Sequence, residues 1–146
     1  MAKIVFISFN IRGMNDPNKV SFLKDFLKVN RVGICYIQET HIDSPAYVEE
    51  LGNVFCSYFC YFTINSSKTR GVGILIDKNI NHDLNVLNTQ YDLDSRVLRV
   101  ELKLNNILFN LVNIYAQNSE NEQLDFIYSF YDFCANLGNI VFHSLI

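Results

Sequence analysis

Two short apolar runs flank a helical segment at the start of the chain, and this arrangement restricts the fold more than any other feature. Ile4 to Phe9 is a β-prone run that gives out at Asn10, and Val32 to Ile37 is continuously apolar. Runs of that length without polar alternation suit strands covered on both faces. Between them, Asp16-Pro17 marks a helix start, with Asp as N-cap and Pro at the first helical position. Val20, Leu23, Phe26 and Leu27 then recur at helical spacing, with Lys19, Lys24, Asp25 and Lys28 mostly on other faces. Strand, helix and strand in about forty residues form a crossover unit, which predicts a parallel first pair of strands.

The middle of the chain turns to β structure. Val54 to Ile64 is aromatic-rich, a polar loop follows from Asn65 to Arg70, and Gly71-Val72-Gly73-Ile74-Leu75-Ile76 is again strand-like. In Val97 to Leu104, Leu98, Val100, Leu102 and Leu104 alternate with Arg99, Glu101 and Lys103, the period of a half-buried strand. Asn105-Asn106 supplies a two-residue turn, because Asn tolerates positive φ, and Ile107 to Tyr115 returns as the more apolar, more central partner. Ser119 and Glu122 have capping-box spacing. The helix they open carries Leu124, Ile127, Tyr131 and Cys134 on one stripe, with Phe126, Phe130, Phe133 and Leu137 beside it, and Gly138 is its predicted end. Ile140-Val141-Phe142 begins another strand. With no repeat and no linker in 146 residues, these elements predict one α/β domain: a mixed sheet with helices on its outer face.

Charge adds little. A net charge of −3 is not that of a nucleic-acid coat or tail, although an enzyme holding phosphate through a metal and a few local groups needs no basic face. The four cysteines form no C-x-x-C pair, and Cys56 and Cys60 lie in an aromatic run with no histidine nearby, so they read as buried free thiols rather than a zinc site. The N-terminus lacks a signal-peptide layout, and no apolar stretch approaches the roughly 20 residues that span a bilayer. The expectation is an intracellular protein, nuclear or cytoplasmic, neither secreted nor membrane-bound.

Polar residues gather where the strands give out: Asn10 after the first, Gln38-Glu39-Thr40-His41 after the second, and Asn113-Ile114-Tyr115-Ala116-Gln117-Asn118 after the return strand of the hairpin. Strand ends in α/β sheets aim side chains from several loops at one point. A carboxylate there suits a hard metal, and Tyr and Asn offer neutral donors to phosphate oxygens. Taken singly, each has a plainer reading as a turn former, a solvated acid or a packed ring.

Order and context favour the functional reading. Phe9-Asn10-Ile11-Arg12-Gly13 resembles the opening motif of the endonuclease/exonuclease/phosphatase superfamily, which includes apurinic/apyrimidinic endonucleases, deoxyribonuclease I and the endonuclease domains of non-LTR retrotransposons. Gln38-Glu39-Thr40-His41 resembles the retrotransposon form of the second motif. Gly71 to Ile76 resembles the Gly-Val-Ala/Gly-Ile strand, and Asn113 to Asn118 the N-[IVL]-Y-A-P-N motif, with Gln117 in place of Pro. The resemblance implies a deoxyribonuclease-I-like α/β/β/α sandwich, in part, and Mg2+-dependent nicking of DNA. It makes Glu39 the magnesium ligand and Asn10 the residue beside the metal that helps to position it. Tyr115 would contact the scissile phosphate, with Asn118 near it; His41 and Arg70 receive no catalytic role.

The family pattern continues with Gly-Asp-Phe-Asn, whose Asp activates or positions water, and later Ser-Asp-His. Here the sequence reads Asn139-Ile140-Val141-Phe142-His143-Ser144-Leu145-Ile146 instead, and His143 matches no catalytic histidine. The resemblance thus implies a single domain truncated at its C-terminal side and inactive alone, with an exposed inner sheet face. The alternatives are a non-catalytic nucleic-acid-binding or structural half-domain, or a degenerate retroelement fragment.

Overall fold

The computed structural model describes residues 3–66, 68–116, 119–135 and 140–145, the last run by its backbone alone. The opening crossover is present. Strand β1 (Phe6–Asn10) and strand β2 (Ile34–Gln38) are parallel, joined by helix α1 (Pro17–Val29). The Asp16 carboxylate accepts the Asn18 N–H and Pro17 stands in the first turn, as the Asp-Pro signal predicts. A second helix, α2 (Pro45–Val54), uses the same device, with Ser44 Oγ accepting the Tyr47 N–H ahead of Pro45. The sequence reading gives no helix here, and its β reading of Val54 to Ile64 begins too early because Val54 closes α2.

Strands β3 (Tyr58–Phe62) and β4 (Val72–Asp77) complete a mixed four-stranded sheet in the order β1-β2-β4-β3. A second four-stranded sheet follows, in the order β5-β6-β7-β8. It comprises β5 (Asn85–Tyr91), β6 (Val97–Leu104), β7 (Ile107–Tyr115) and, after helix α3 (Glu120–Cys134), β8 (Ile140–Leu145), which runs parallel to β7. The β6–β7 hairpin closes at Leu104↔Ile107, with φ of 50° at Asn105 and 63° at Asn106, the left-handed pair that Asn-Asn predicts. Strand β5 gave no clear sequence signal. It is an edge strand, largely exposed, with its register broken between Val86 and Asn88.

Alternation along the strands sorts the core into layers. Val20, Leu23 and Leu27 of α1 and Leu51 of α2 pack on Cys35, Ile37 and Leu75 of the first sheet. The opposite face of that sheet (Ile34, Tyr36, Val72, Ile74, Ile76) packs on Leu98, Val100, Leu102 and Leu111 of the second. Val97, Val112 and Ile114 face outward and are covered by Phe126, Phe130 and Phe133 of α3. The result is helix, sheet, sheet, helix: the expected four-layer α/β/β/α sandwich. Because the second sheet covers the first, the inner apolar face is not exposed, contrary to the expectation for half a domain.

Helix α3 refines the sequence reading. The stripe of Leu124, Ile127 and Tyr131 is exposed, and the phenylalanine row beside it does the packing. Three aromatic rings bury more apolar area than the mixed stripe, so the helix turns that row to the sheet. Ser119 is the N-cap but makes no side-chain capping bond, and the helix ends at Cys134; Leu137 and Gly138 lie outside the described residues. Among the cysteines, Cys35 is buried and Cys56 exposed, so the reading of uniformly buried thiols holds only in part. Burial pushes the Cys35 and Cys60 thiols up to about 12, which keeps both protonated and unreactive. No helix among the described residues is long and apolar enough to cross a membrane.

Candidate functional site

Because β1 and β2 are parallel and β4 is antiparallel to β2, the ends of β1 and β2 and the start of β4 share one edge of the first sheet. The end of β7 lies over that edge. Asn113 of β7 donates through Nδ2 to the carbonyls of Ile37 (2.9 Å) and Gly73 (2.8 Å), and accepts from Gln38 Nε2 at 2.8 Å. Gln38 also exchanges hydrogen bonds with Ser8 of β1. Asn113 and Gln38 are both fully buried, so this polar clamp fixes one sheet against the other just below the cleft mouth.

Glu39 follows immediately. Strict alternation would send residue 39 to the helix side with Cys35 and Ile37. Its φ of 54° breaks the alternation. A left-handed non-glycine residue costs about 1–2 kcal/mol, and such strain persists only where surrounding bonds over-determine it. Here they do. The Gly13 N–H donates to the Glu39 carbonyl (2.7 Å), Met14 N–H to Thr40 O (3.0 Å), Thr40 N–H to Gly71 O (3.1 Å) and His41 N–H to Arg70 O (2.8 Å). The half-exposed Glu39 carboxylate is thereby aimed into the cleft, where Oε1 accepts from Asn10 Nδ2 and from the Tyr115 hydroxyl, both at 3.1 Å. Asn10 Oδ1 in turn accepts the Arg12 N–H, which orients the amide so that its nitrogen faces Glu39.

The structure therefore brings Asn10, Glu39 and Tyr115 together around one carboxylate oxygen. Asn118 lies outside the described residues, and so does Gln117. Burial, then the hydrogen bond to Glu39 and the charge of Glu39, raise the Tyr115 phenol above its ordinary value, while Arg70 and Arg96 pull it back. The phenol is thus a proton-bearing donor at neutral pH. Sequence reasoning missed two contributors. Asn113 was visible as a polar residue at inward parity (Leu111, Asn113, Tyr115) in an otherwise apolar strand, and Gln38 as a polar end to a buried one. Gly71 has a φ of 119°, and a Cβ there would lie 2.2 Å from Thr40 Oγ1, so the glycine is what lets the Glu39 loop dock on β4.

The donor set bears on the metal that the resemblance implies. Among the described residues no three His, Cys, Asp or Glu side chains cluster as a metal cage. Glu39 Oε2 has no hydrogen-bond partner among the described residues, since both bonds fall on Oε1. One free carboxylate oxygen beside neutral donors fits a hard cation such as magnesium, which keeps several waters and binds through one or two carboxylates plus substrate phosphate.

The same architecture occurs in solved structures. D. rerio TDP2, complexed with single strand DNA product, superimposes with a TM-score of 0.72 at 17% identity over 97% of this chain and 59% of that one. The AP endonuclease of Leishmania major gives 0.73 at 14% identity, over 95% and 54%. An endonuclease/exonuclease/phosphatase family protein from Bacteroides thetaiotaomicron gives 0.66 at 8% identity, over 97% and 61%. The chain has the endonuclease/exonuclease/phosphatase fold. It spans less than two thirds of the length of these structures, and their low identities establish the likeness at the level of fold. No protein-family model and no curated protein matches the chain. Within the endonuclease/exonuclease/phosphatase fold, the strand ends that carry Asn10, Glu39 and Tyr115 form one edge of the sandwich.

Proposed function

We propose that the chain carries the Glu39 side of a Mg2+-dependent phosphodiesterase site acting on DNA, of the retrotransposon-endonuclease type. The observation that carries this reading is the convergence of Asn10 and Tyr115 on one oxygen of a carboxylate held in a strained backbone conformation. Strain sustained by four loop hydrogen bonds has no packing purpose at a half-exposed acid, whereas it does aim that acid. A cation held at Glu39 would supply charge stabilisation to a phosphate and its leaving oxygen. In this reading Asn10 fixes the carboxylate and Tyr115 donates toward a phosphate oxygen, with Asn118 assigned beside it by the motif. DNA as partner draws support from the motif strings and from the DNA product bound to the TDP2 of similar fold.

The groups that orient water and grip the far side of the phosphate belong to the Gly-Asp-Phe-Asn and Ser-Asp-His motifs, and neither string occurs in these 146 residues. Catalytic units are strongly non-additive, so the chain alone is expected to lack activity. The test is nicking of supercoiled plasmid by the purified chain with magnesium. The expected result is no cleavage above that of the Glu39→Ala variant. Robust magnesium-dependent nicking that Glu39→Ala abolishes would overturn the assignment of inactivity.

A further inference from the structure

Helices α1 and α3 cover opposite outer faces of the sandwich, and each turns an apolar row to solvent. On α1, Phe22, Phe26 and Val29 recur at helical spacing, away from the buried row of Val20, Leu23 and Leu27. Phe22 is 59% exposed and Val29 79%, and the Phe22 and Phe26 rings lie 6.1 Å apart between centroids. On α3, Leu124, Ile127, Tyr128 and Tyr131 form the outward row, each between 54% and 74% exposed. Single exposed apolar side chains are ordinary, but an uncovered row along a helix marks an interaction surface. The rows from Phe22 to Val29 and from Leu124 to Tyr131 have equal length, about 10 Å at 1.5 Å per residue, so one can lie along the other.

Charge decides which surface each row suits. Helix α1 bears Lys19, Lys24 and Lys28 against a single acid, Asp25, and Arg31 follows its C-terminus. Helix α3 bears Glu120, Glu122, Asp125 and Asp132 and no basic residue. All of these side chains belong to exposed residues, and none is in an ion pair among the described residues. Packing α1 on α1, or α3 on α3, would oppose like charges, whereas α3 on α1 joins unlike ones. An antiparallel setting brings Glu120 toward Lys28 and Asp132 toward Lys19, and also opposes the two helix dipoles. Within one molecule the contact is impossible, because α1 packs on the first sheet and α3 on the far side of the second.

We propose that α3 of one copy docks on α1 of a second copy, so that the chain associates with itself head to tail. Each pair then keeps one free α1 face and one free α3 face. Such a heterologous contact continues into rings or short fibres instead of stopping at a two-fold dimer.

The test is the mass of the whole chain by sedimentation velocity over a dilution series, with two variants that each alter one face. Phe22→Ser with Val29→Ser alters α1, and Ile127→Ser with Tyr131→Ser alters α3. All four positions are exposed, so both variants are expected to keep the wild-type circular dichroism spectrum. The wild type is expected to grow beyond a dimer with concentration. Each variant alone is expected to associate at least about thirtyfold more weakly, the scale of losing an anchor residue. Mixed together, the two variants supply one intact face of each kind and are expected to form a mixed dimer and nothing larger. A wild type that stays monomeric throughout overturns the proposal, as does a mixture that associates no more than either variant alone. So does a variant that associates as well as the wild type, which would place the contact on another surface. If a serine variant loses its spectrum, Lys28→Glu and Glu120→Lys decide. Each alone is expected to weaken association and the two in one chain to restore it, and a double variant no better than the singles overturns the pairing.

Discussion

Asn113→Leu is expected to destabilise the protein by about 3–5 kcal/mol, read as a lower urea midpoint at an unchanged slope. The size follows from what the leucine would leave behind. Asn113 is fully buried and makes three hydrogen bonds across the two sheets, to Ile37 O, Gly73 O and Gln38 Nε2. Each buried partner left unsatisfied costs about 1–3 kcal/mol, and leucine replaces none of them. Gln38 keeps its Ser8 contacts, which holds the loss below the simple sum. Against a total stability of about 5–15 kcal/mol for a domain, this is a large fraction. An effect below about 1 kcal/mol would mean that apolar contacts, not the clamp, hold the sheets in register.

Gly71→Ala is expected to cost about 2–4 kcal/mol and to weaken cation binding as well. An alanine at φ 119° is strained, and its Cβ would meet Thr40 Oγ1 at 2.2 Å. Thr40 is fully buried, and its N–H is bonded to Gly71 O, so neither residue yields without moving the Glu39 loop. Gly52→Ala is the matched control. Gly52 lies within α2 with nothing within 4 Å of an added Cβ, so alanine there is expected to stabilise by about 0.5–1 kcal/mol. Equal effects at the two positions would contradict the docking role given to Gly71.

The sequence made the frame of the sandwich legible where local signals agree with tertiary packing. Asp16-Pro17 started α1, the Leu98-to-Leu104 alternation set the face of β6, and Asn105-Asn106 closed its hairpin. What was not legible has a common cause. The choice of packing stripe on α3 and the edge strand β5 were decided by partners elsewhere in the chain, which periodicity does not see. For the site, motif order brought forward Asn10, Glu39 and Tyr115, and the structure unites them. It was silent about how Glu39 is aimed: a left-handed φ at Glu39 and the close approach of Gly71 leave no composition signal beyond a single glycine. Asn113 was visible as a polar residue, but its clamping role was not, since that depends on contacts between segments distant in sequence.

Cation binding at Glu39 tests the central claim most directly. Mn2+ titrated into 15N-labelled protein in place of magnesium is expected to broaden the amide signals of Asn10, Ile11, Glu39, Thr40 and Tyr115 first, and Glu39→Gln is expected to abolish that broadening. Broadening centred instead on the acidic turn at Asp92 and Asp94, or unchanged in Glu39→Gln, would contradict the site.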